Sequence, residues 1–198
     1  LATRKGSFLR TDSIERSQGA GSPHTDNDLR LFGTTGEPRV TFYKDRASWC
    51  PYCQKVWILL EEKRIPYRVS KINMRSYGDK PREFLSKVPN GLLPAIEIDG
   101  QLQTDSIPIM MTLESMFQGE EHKAMWPTSQ DELELARAQQ LMRLERKLFG
   151  DWCNLVFRPS FGQSSARAQF EETLDIVNQQ VRPTRYVPSA LCVPISLL

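Results

Sequence analysis

Residues 40–72 read VTFYKDRASWCPYCQKVWILLEEKRIPYRVSKI, and this stretch decides the fold. Val40-Thr41-Phe42-Tyr43 is a run of strand formers. Beyond Trp49-Cys50-Pro51-Tyr52-Cys53, the residues Val56, Leu59, Leu60 and Lys63 recur at helical spacing, which predicts a helix leaving the motif. Ile65-Pro66 stops that helix, because proline has no N–H for the ladder. Tyr67 to Ile72 then alternates as a second strand, and the handedness of crossover connections sets it parallel to the first. The reading is a βαβ unit with CPYC at its strand-to-helix junction.

Downstream, a polar segment from Asn73 to Pro81 leads into a short helix around Glu83-Phe84-Leu85. Ala95-Ile96-Glu97-Ile98 and Gln101-Leu102-Gln103 flank Asp99-Gly100, a strong hairpin signal. Ser106 starts a third helix through Ile109, Met110, Leu113, Met116 and Phe117. The three methionines Met110, Met111 and Met116 read as core filler at that spacing. The order βαβ, α, ββ, α is that of a thioredoxin-like (glutaredoxin-like) domain, predicted over residues 39–118.

Residues 119–130, with Gly119, Trp126 and Pro127, read as a linker. Ser129 with Glu132 forms a capping-box pattern, and an amphipathic stretch through Leu133, Ala136, Gln140, Leu144 and Leu148 runs towards Trp152. A second helical region over 164–180 carries Phe170, Leu174 and Val177 on one face. Residues 131–181 therefore predict a partial helical domain, and the fold class is α/β plus all-α. At the start, residues 1–38 are rich in Ser, Thr, Gly, Arg and Asp without a period, which predicts a disordered tail. Its Arg and Ser content points to a plastid targeting remnant, with the cytoplasm as the alternative; Asp12, Glu15, Asp26 and Asp28 count against it. Residues 182–198 form an irregular, Pro-punctuated apolar tail.

The net charge of +2 is the difference between 26 basic and 24 acidic side chains spread along 198 residues, so no basic face is offered to nucleic acid. No apolar run approaches the roughly 18–20 residues needed to cross a bilayer. Four cysteines are too few for a disulfide framework, and Cys50 and Cys53 stand apart from Cys153 and Cys192. His24 and His122 have no second ligand at metal-like spacing, so no metal is expected and both histidines read as solvated.

A cysteine at a helix start meets unpaired N–H groups and the positive end of the dipole, which favour thiolate. In CxxC motifs this lowers a thiol pKa from about 8.5 into the range of roughly 3.5–7.5. Cys50 is thus the candidate nucleophile, Pro51 fits the first helical position, and Cys53, nearly a turn later, is the candidate resolving thiol. The competing reading, half of a zinc site, lacks a second cysteine pair. Leu93-Pro94, just before the Ala95 strand, is the candidate cis bond that would turn the Leu93 backbone towards a peptide ligand; an ordinary trans proline is its alternative. Asp105-Ser106 could hold an α-amino acid end, the carboxylate on the helix start and the ammonium on Asp105, or Ser106 could be a plain helix cap.

With these residues assembled, the chain resembles the glutathione transferase superfamily in its cysteine-using branch. The run WCPYCQKVWILLEEKRIPYRVSKINM, with the later KP, GLLPAIEIDG and TDS segments, is most similar to the iota class, and omega and lambda classes are more distant. The resemblance implies glutathione as co-substrate. Cys50 would form the mixed disulfide, Leu93 would pair with the cysteinyl backbone, and Asp105 and Ser106 would grip the γ-glutamyl group. Lys80 would reach the glycyl carboxylate, and Pro51, Tyr52 and Pro94 would complete the pocket. A cysteine in this place implies reduction of glutathionylated proteins, small disulfides or dehydroascorbate rather than conjugation of electrophiles, with a homodimer as an expected assembly. A transferase conjugating electrophiles is one alternative; the ending VRPTRYVPSALCVPISLL departs from the family and implies a shortened helical domain, so a non-catalytic glutathione-binding module is another, and a glutathione-bridged iron–sulfur cluster a remote one.

Overall fold

The computed structural model describes residues 14–21, 23, 27–127, 130–158 and 163–181. His24, Ser129, Cys192 and the tail 182–198 lie outside the described residues. The chain divides into two compact units, the first ending at Ala124 and the second opening at Met125.

In the first unit the elements are β1 (Leu29–Arg30), β2 (Val40–Asp45), α1 (Pro51–Glu62), β3 (Tyr67–Ile72), α2 (Arg82–Lys87), β4 (Ala95–Ile98), β5 (Gln101–Thr104) and α3 (Ser106–Met116). The sheet order is β1-β3-β2-β4-β5. β2 and β3 run parallel, as the crossover requires, and the other pairs are antiparallel. β2 is central and is covered on both faces, with Val40 and Phe42 fully buried. Tyr43 packs with Ile72, Phe84, Val88 and Ala95 towards α2. Phe42 and Lys44, pointing the other way by strand alternation, face α1.

α1 ends before Ile65-Pro66. Arg64 takes φ +52, the Arg64 N–H donates to Glu61 O at 3.1 Å, and the Ile65 N–H donates to Leu60 O at 3.0 Å. This is a Schellman closure with arginine where glycine is usual. The β4–β5 hairpin turns at Asp99 (φ +49) and Gly100 (φ +81), both left-handed as a two-residue turn of this kind demands.

Within the tail expected over 1–38, the described residues 14–21, 23 and 27–38 include a short strand and side-chain contacts that the sequence did not signal. Leu29 and Arg30 pair with Arg68 and Tyr67 as the edge strand β1, and the Val69 N–H donates to Asp28 O at 2.8 Å. Arg30 is 2% exposed and binds Glu61 on α1 through Nε (2.9 Å) and NH2 (2.5 Å). It also donates to the carbonyls of Arg16 and Gly21, so it clasps the preceding segment. Tyr67 Oη donates to Glu61 at 2.5 Å and accepts from Trp57 Nε1 at 2.6 Å. Burial, with the Glu61 charge beside it, pushes the Tyr67 phenol well up. The segment has no apolar period; among its described residues, the Arg30 guanidinium ties Arg16 and Gly21 to Glu61.

The second unit has two described helices, α4 (Glu132–Phe157) and α5 (Gln163–Val181). The capping box rested on Ser129; the observed N-cap of α4 is Asp131, whose Oδ1 accepts from the Glu134 N–H at 3.0 Å. Asp151, a buried carboxylate, joins the two helices by accepting from Lys147 Nζ and Thr173 Oγ1, both at 2.7 Å. No described helix is long and apolar enough to cross a membrane.

Candidate functional site

Strand register brings the candidate residues to one end of the sheet. Tyr43 of β2 pairs with Ala95 of β4, and Ala95 pairs with Thr104 of β5. The loop to Cys50 leaves β2 at this end, Leu93-Pro94 enters β4 there, and Asp105-Ser106 follows β5 there. Five residues scattered over more than fifty positions thus lie at one end of the sheet because three strands are in register.

Cys50 is the N-cap of α1, with φ −66 and ψ 115, and Pro51 is its first residue. Both thiols are buried, Cys50 at 3% and Cys53 at 2% exposure. The Cys50 pKa falls from its ordinary 9.0 to about 7. Donation from the Cys53 thiol is the main cause, burial opposes it, and the backbone N–H groups of Cys53 and Tyr52 assist. Burial pushes the Cys53 thiol well up, and the neighbouring Cys50 adds to this. In the reduced site the proton is thus held more tightly by Cys53, and Cys50 is the sulfur that ionises first. Tyr52 lies half-buried, with Lys55 Nζ 5.8 Å from its ring centroid.

The Leu93-Pro94 peptide is cis, so the trans alternative does not hold. Leu93 packs against the Tyr43 cluster, and Pro94 is buried behind it. Lys80 Nζ donates to Gly91 O at 2.6 Å, anchoring the loop that delivers the cis bond. Gly91 itself takes φ +64, and a Cβ there would meet Leu85 Cδ2 at 3.2 Å and Lys80 Cδ at 3.3 Å. Asp105, at φ +69, is the N-cap of α3 without a side-chain capping bond, and Ser106 is the first helical residue at 8% exposure. The plain-cap reading of Ser106 therefore does not hold, since the cap position belongs to Asp105. His122 is not solvated as expected: its Nδ1 lies 2.9 Å from Lys63 O, and its ring meets Phe117 edge-on.

Two residues of the site escaped the sequence reading. Asp45 is fully buried, and its carboxylate accepts the N–H groups of Ala47 (3.1 Å), Trp49 (3.0 Å) and Cys50 (3.2 Å). Lys44 is 1% exposed; its Nζ donates to Ser48 Oγ and to Asp45 O, and lies 4.1 Å from the centroid of the Trp57 ring. Gln54 Nε2 holds Ser48 O from the helix side, which keeps Ser48 at φ +63. A signal was available. A Lys-Asp pair at the end of a central strand has both faces buried, so each charge must have a partner.

Residues 49–116 match the family model described as glutathione S-transferase, N-terminal domain. That segment is similar to the N-terminal domain of glutathione S-transferases. Among curated proteins, glutathione S-transferase DHAR2 of Arabidopsis thaliana is 40% identical over 68 residues, covering 34% of this chain and 30% of that protein. Glutathione S-transferase omega-1 of Mus musculus is 31% identical over 114 residues, covering 57% of this chain and 42% of that protein. The chain spans less than half the length of these glutathione S-transferase relatives. The solved structure of glutathione transferase Omega 3C from Trametes versicolor superposes with a TM-score of 0.65 at 24% identity, covering 87% of this chain and 65% of that one. Its likeness establishes the fold, a thioredoxin-like sheet with a helical region after it.

Proposed function

We propose that the chain is a glutathione-dependent thiol transferase in which Cys50 attacks a mixed disulfide, a small disulfide or dehydroascorbate. The observation that carries this reading is a buried thiol pair in which one sulfur is held towards thiolate and the other retains its proton. The cysteinyl backbone of glutathione pairs with Leu93, its γ-glutamyl end meets Asp105 and the start of α3, and Pro51, Tyr52 and Pro94 line its thiol. The Lys80 ammonium has three donors, so it can hold Gly91 O and still take the glycyl carboxylate. The DHAR and omega names of the similar proteins support a cysteine-type reaction. An iota-class assignment, a homodimer and a plastid location belong to the same proposal; one similar protein of Oryza sativa is named chloroplastic and another cytosolic.

Treatment with oxidised glutathione followed by peptide mass spectrometry tests it. Cys50 is expected to gain one glutathionyl group, and Cys50→Ser is expected to abolish turnover of hydroxyethyl disulfide. Turnover of an aryl halide exceeding that of the disulfide, or full disulfide activity in Cys50→Ser, would overturn the reading.

A further inference from the structure

The reduced site poses a problem for its second half-reaction. Once Cys50 carries a mixed disulfide, Cys53 has to surrender its proton to attack, yet it is 2% exposed, and burial and the Asp45 charge both oppose its ionisation. Thiolate rather than thiol is the attacking species. A buried positive charge near Cys53 would offset that cost, because charges in a low-dielectric interior act far more strongly than in water.

Lys44 supplies such a charge. Its side chain leaves β2 on the face that meets α1, and its ammonium lies over the ring of Trp57, which follows Cys53 by one helical turn on the same face of α1. Ser48 Oγ and Asp45 O hold the ammonium in place. The charged and titratable groups that face it are Cys53 of α1, Asp45 of β2 and Lys71 of β3. Burial pushes the Lys44 ammonium down, Lys71 acts in the same direction, and Cys53 and Asp45 hold it up.

We propose that Lys44 is a positioning residue for the resolving step, its buried ammonium stabilising the Cys53 thiolate while fixing the loop that presents Cys50. The step balances without an external oxidant. The proton of Cys53 passes to solvent, Cys53 Sγ attacks Cys50 Sγ, the bond between Cys50 and the bound thiol breaks, and the departing sulfur leaves as thiolate. One disulfide is exchanged for another. The inference rests on the thiol-transferase reading only in assigning Cys53 a resolving role.

The test uses the whole chain with Cys153→Ser and Cys192→Ser, mixed with one equivalent of a bis(nitrobenzoate) disulfide whose released nitrothiobenzoate is yellow. A first phase of colour reports attack by Cys50, and a second reports expulsion by Cys53. Lys44→Met and Lys44→Gln both remove the charge, and Gln keeps a donor for Ser48; Lys44→Arg keeps the charge. At pH 7 the second phase is expected to slow about tenfold or more in Met and Gln, corresponding to a rise of one unit or more in its pH midpoint. Arg is expected to stay within about threefold of the parent chain, the ammonium being exchanged for a guanidinium. A folded Met or Gln variant whose second phase matches the parent in rate and pH profile overturns the proposal. Rescue by Gln alone assigns the effect to the hydrogen bond and also overturns it. Because the probe is not glutathione, failure of Cys50 to take glutathione would sink the functional reading while leaving this one decided separately.

Discussion

Replacing Cys53 by alanine removes the donor that does most to hold Cys50 as thiolate. Cys50 sits at about pKa 7 against an ordinary 9.0, so about half of it is ionised at neutral pH. A hydrogen bond to a charged group contributes about 1.5–3 kcal/mol. At 1.36 kcal/mol for each unit, its loss moves the pKa up by about one to two units, since the N–H groups of Tyr52 and Cys53 remain in place. The ionised fraction at pH 7 then falls from one half to between about one tenth and one hundredth. The sign is that of a depressed thiol: alkylation, already rapid near pH 7 in the parent, becomes rapid only above about pH 8 in Cys53→Ala. The assay is iodoacetamide alkylation from pH 5 to 10, with Cys153→Ser and Cys192→Ser in every chain. Cys53→Ser keeps a hydroxyl donor and is expected to stay within about half a unit of the parent midpoint. A Cys53→Ala midpoint equal to or below the parent's refutes the reasoning, for the backbone groups alone would then account for the acidity.

Three further outcomes are expected. Arg30→Met leaves Glu61 beside a buried phenol without its cation, at a cost of about 3–5 kcal/mol, and is expected to lower the melting temperature and open residues 14–37 to limited proteolysis. Unchanged melting would show that the clasp contributes nothing. Gly91→Ala places a Cβ against Leu85 and Lys80 at a left-handed φ; the KM for glutathione is expected to rise several-fold with the melting temperature reduced, and unaltered kinetics would count against the Lys80–Gly91 anchor. For Asp151, burial opposes ionisation, but donation from Lys147 and Thr173 holds its carboxyl below the usual carboxylate range. Its stabilisation is therefore present above the ordinary carboxylate pKa and lost as pH falls through the lowered value. Asp151→Ala is expected to cost about 1–3 kcal/mol through the unsatisfied Thr173, measured as faster amide exchange in α4 and α5, with no change in exchange as the contrary result.

The local part of the architecture was legible because it is written in neighbouring residues. The β2–α1–β3 order follows from strand formers, a helical period and Ile65-Pro66, and the candidate thiols, Leu93-Pro94 and Asp105 lie at boundaries that turn chemistry marks. What was missed depends on partners distant in sequence. β1 has two residues and no period of its own, and it exists because β3 offers an unpaired edge and Glu61 a carboxylate, 31 positions from Arg30. Lys44 and Asp45 follow the Val40–Tyr43 run of strand formers and carry no periodic or motif signal of their own. Their burial follows once β4 pairs with β2 and makes that strand central, which the order of strands in the sequence hints at but the pairing decides. The start of α4 shifted for a smaller reason, since an aspartate competes as well as a serine for the N-cap position.

The Asp99-Gly100 turn lies at the opposite end of the β4–β5 hairpin from Pro94 and Asp105, four paired residues away. Strand rise converts that into about 13 Å, well beyond contact with any ligand held near the thiols. Even so, the turn sets the phase between the two arms. One residue added there would slide Asp105 by about 3.3 Å against Pro94 and swap the faces of β5. Length polymorphism at this remote loop would displace Asp105 from the thiol end of the sheet while every side chain there stayed the same.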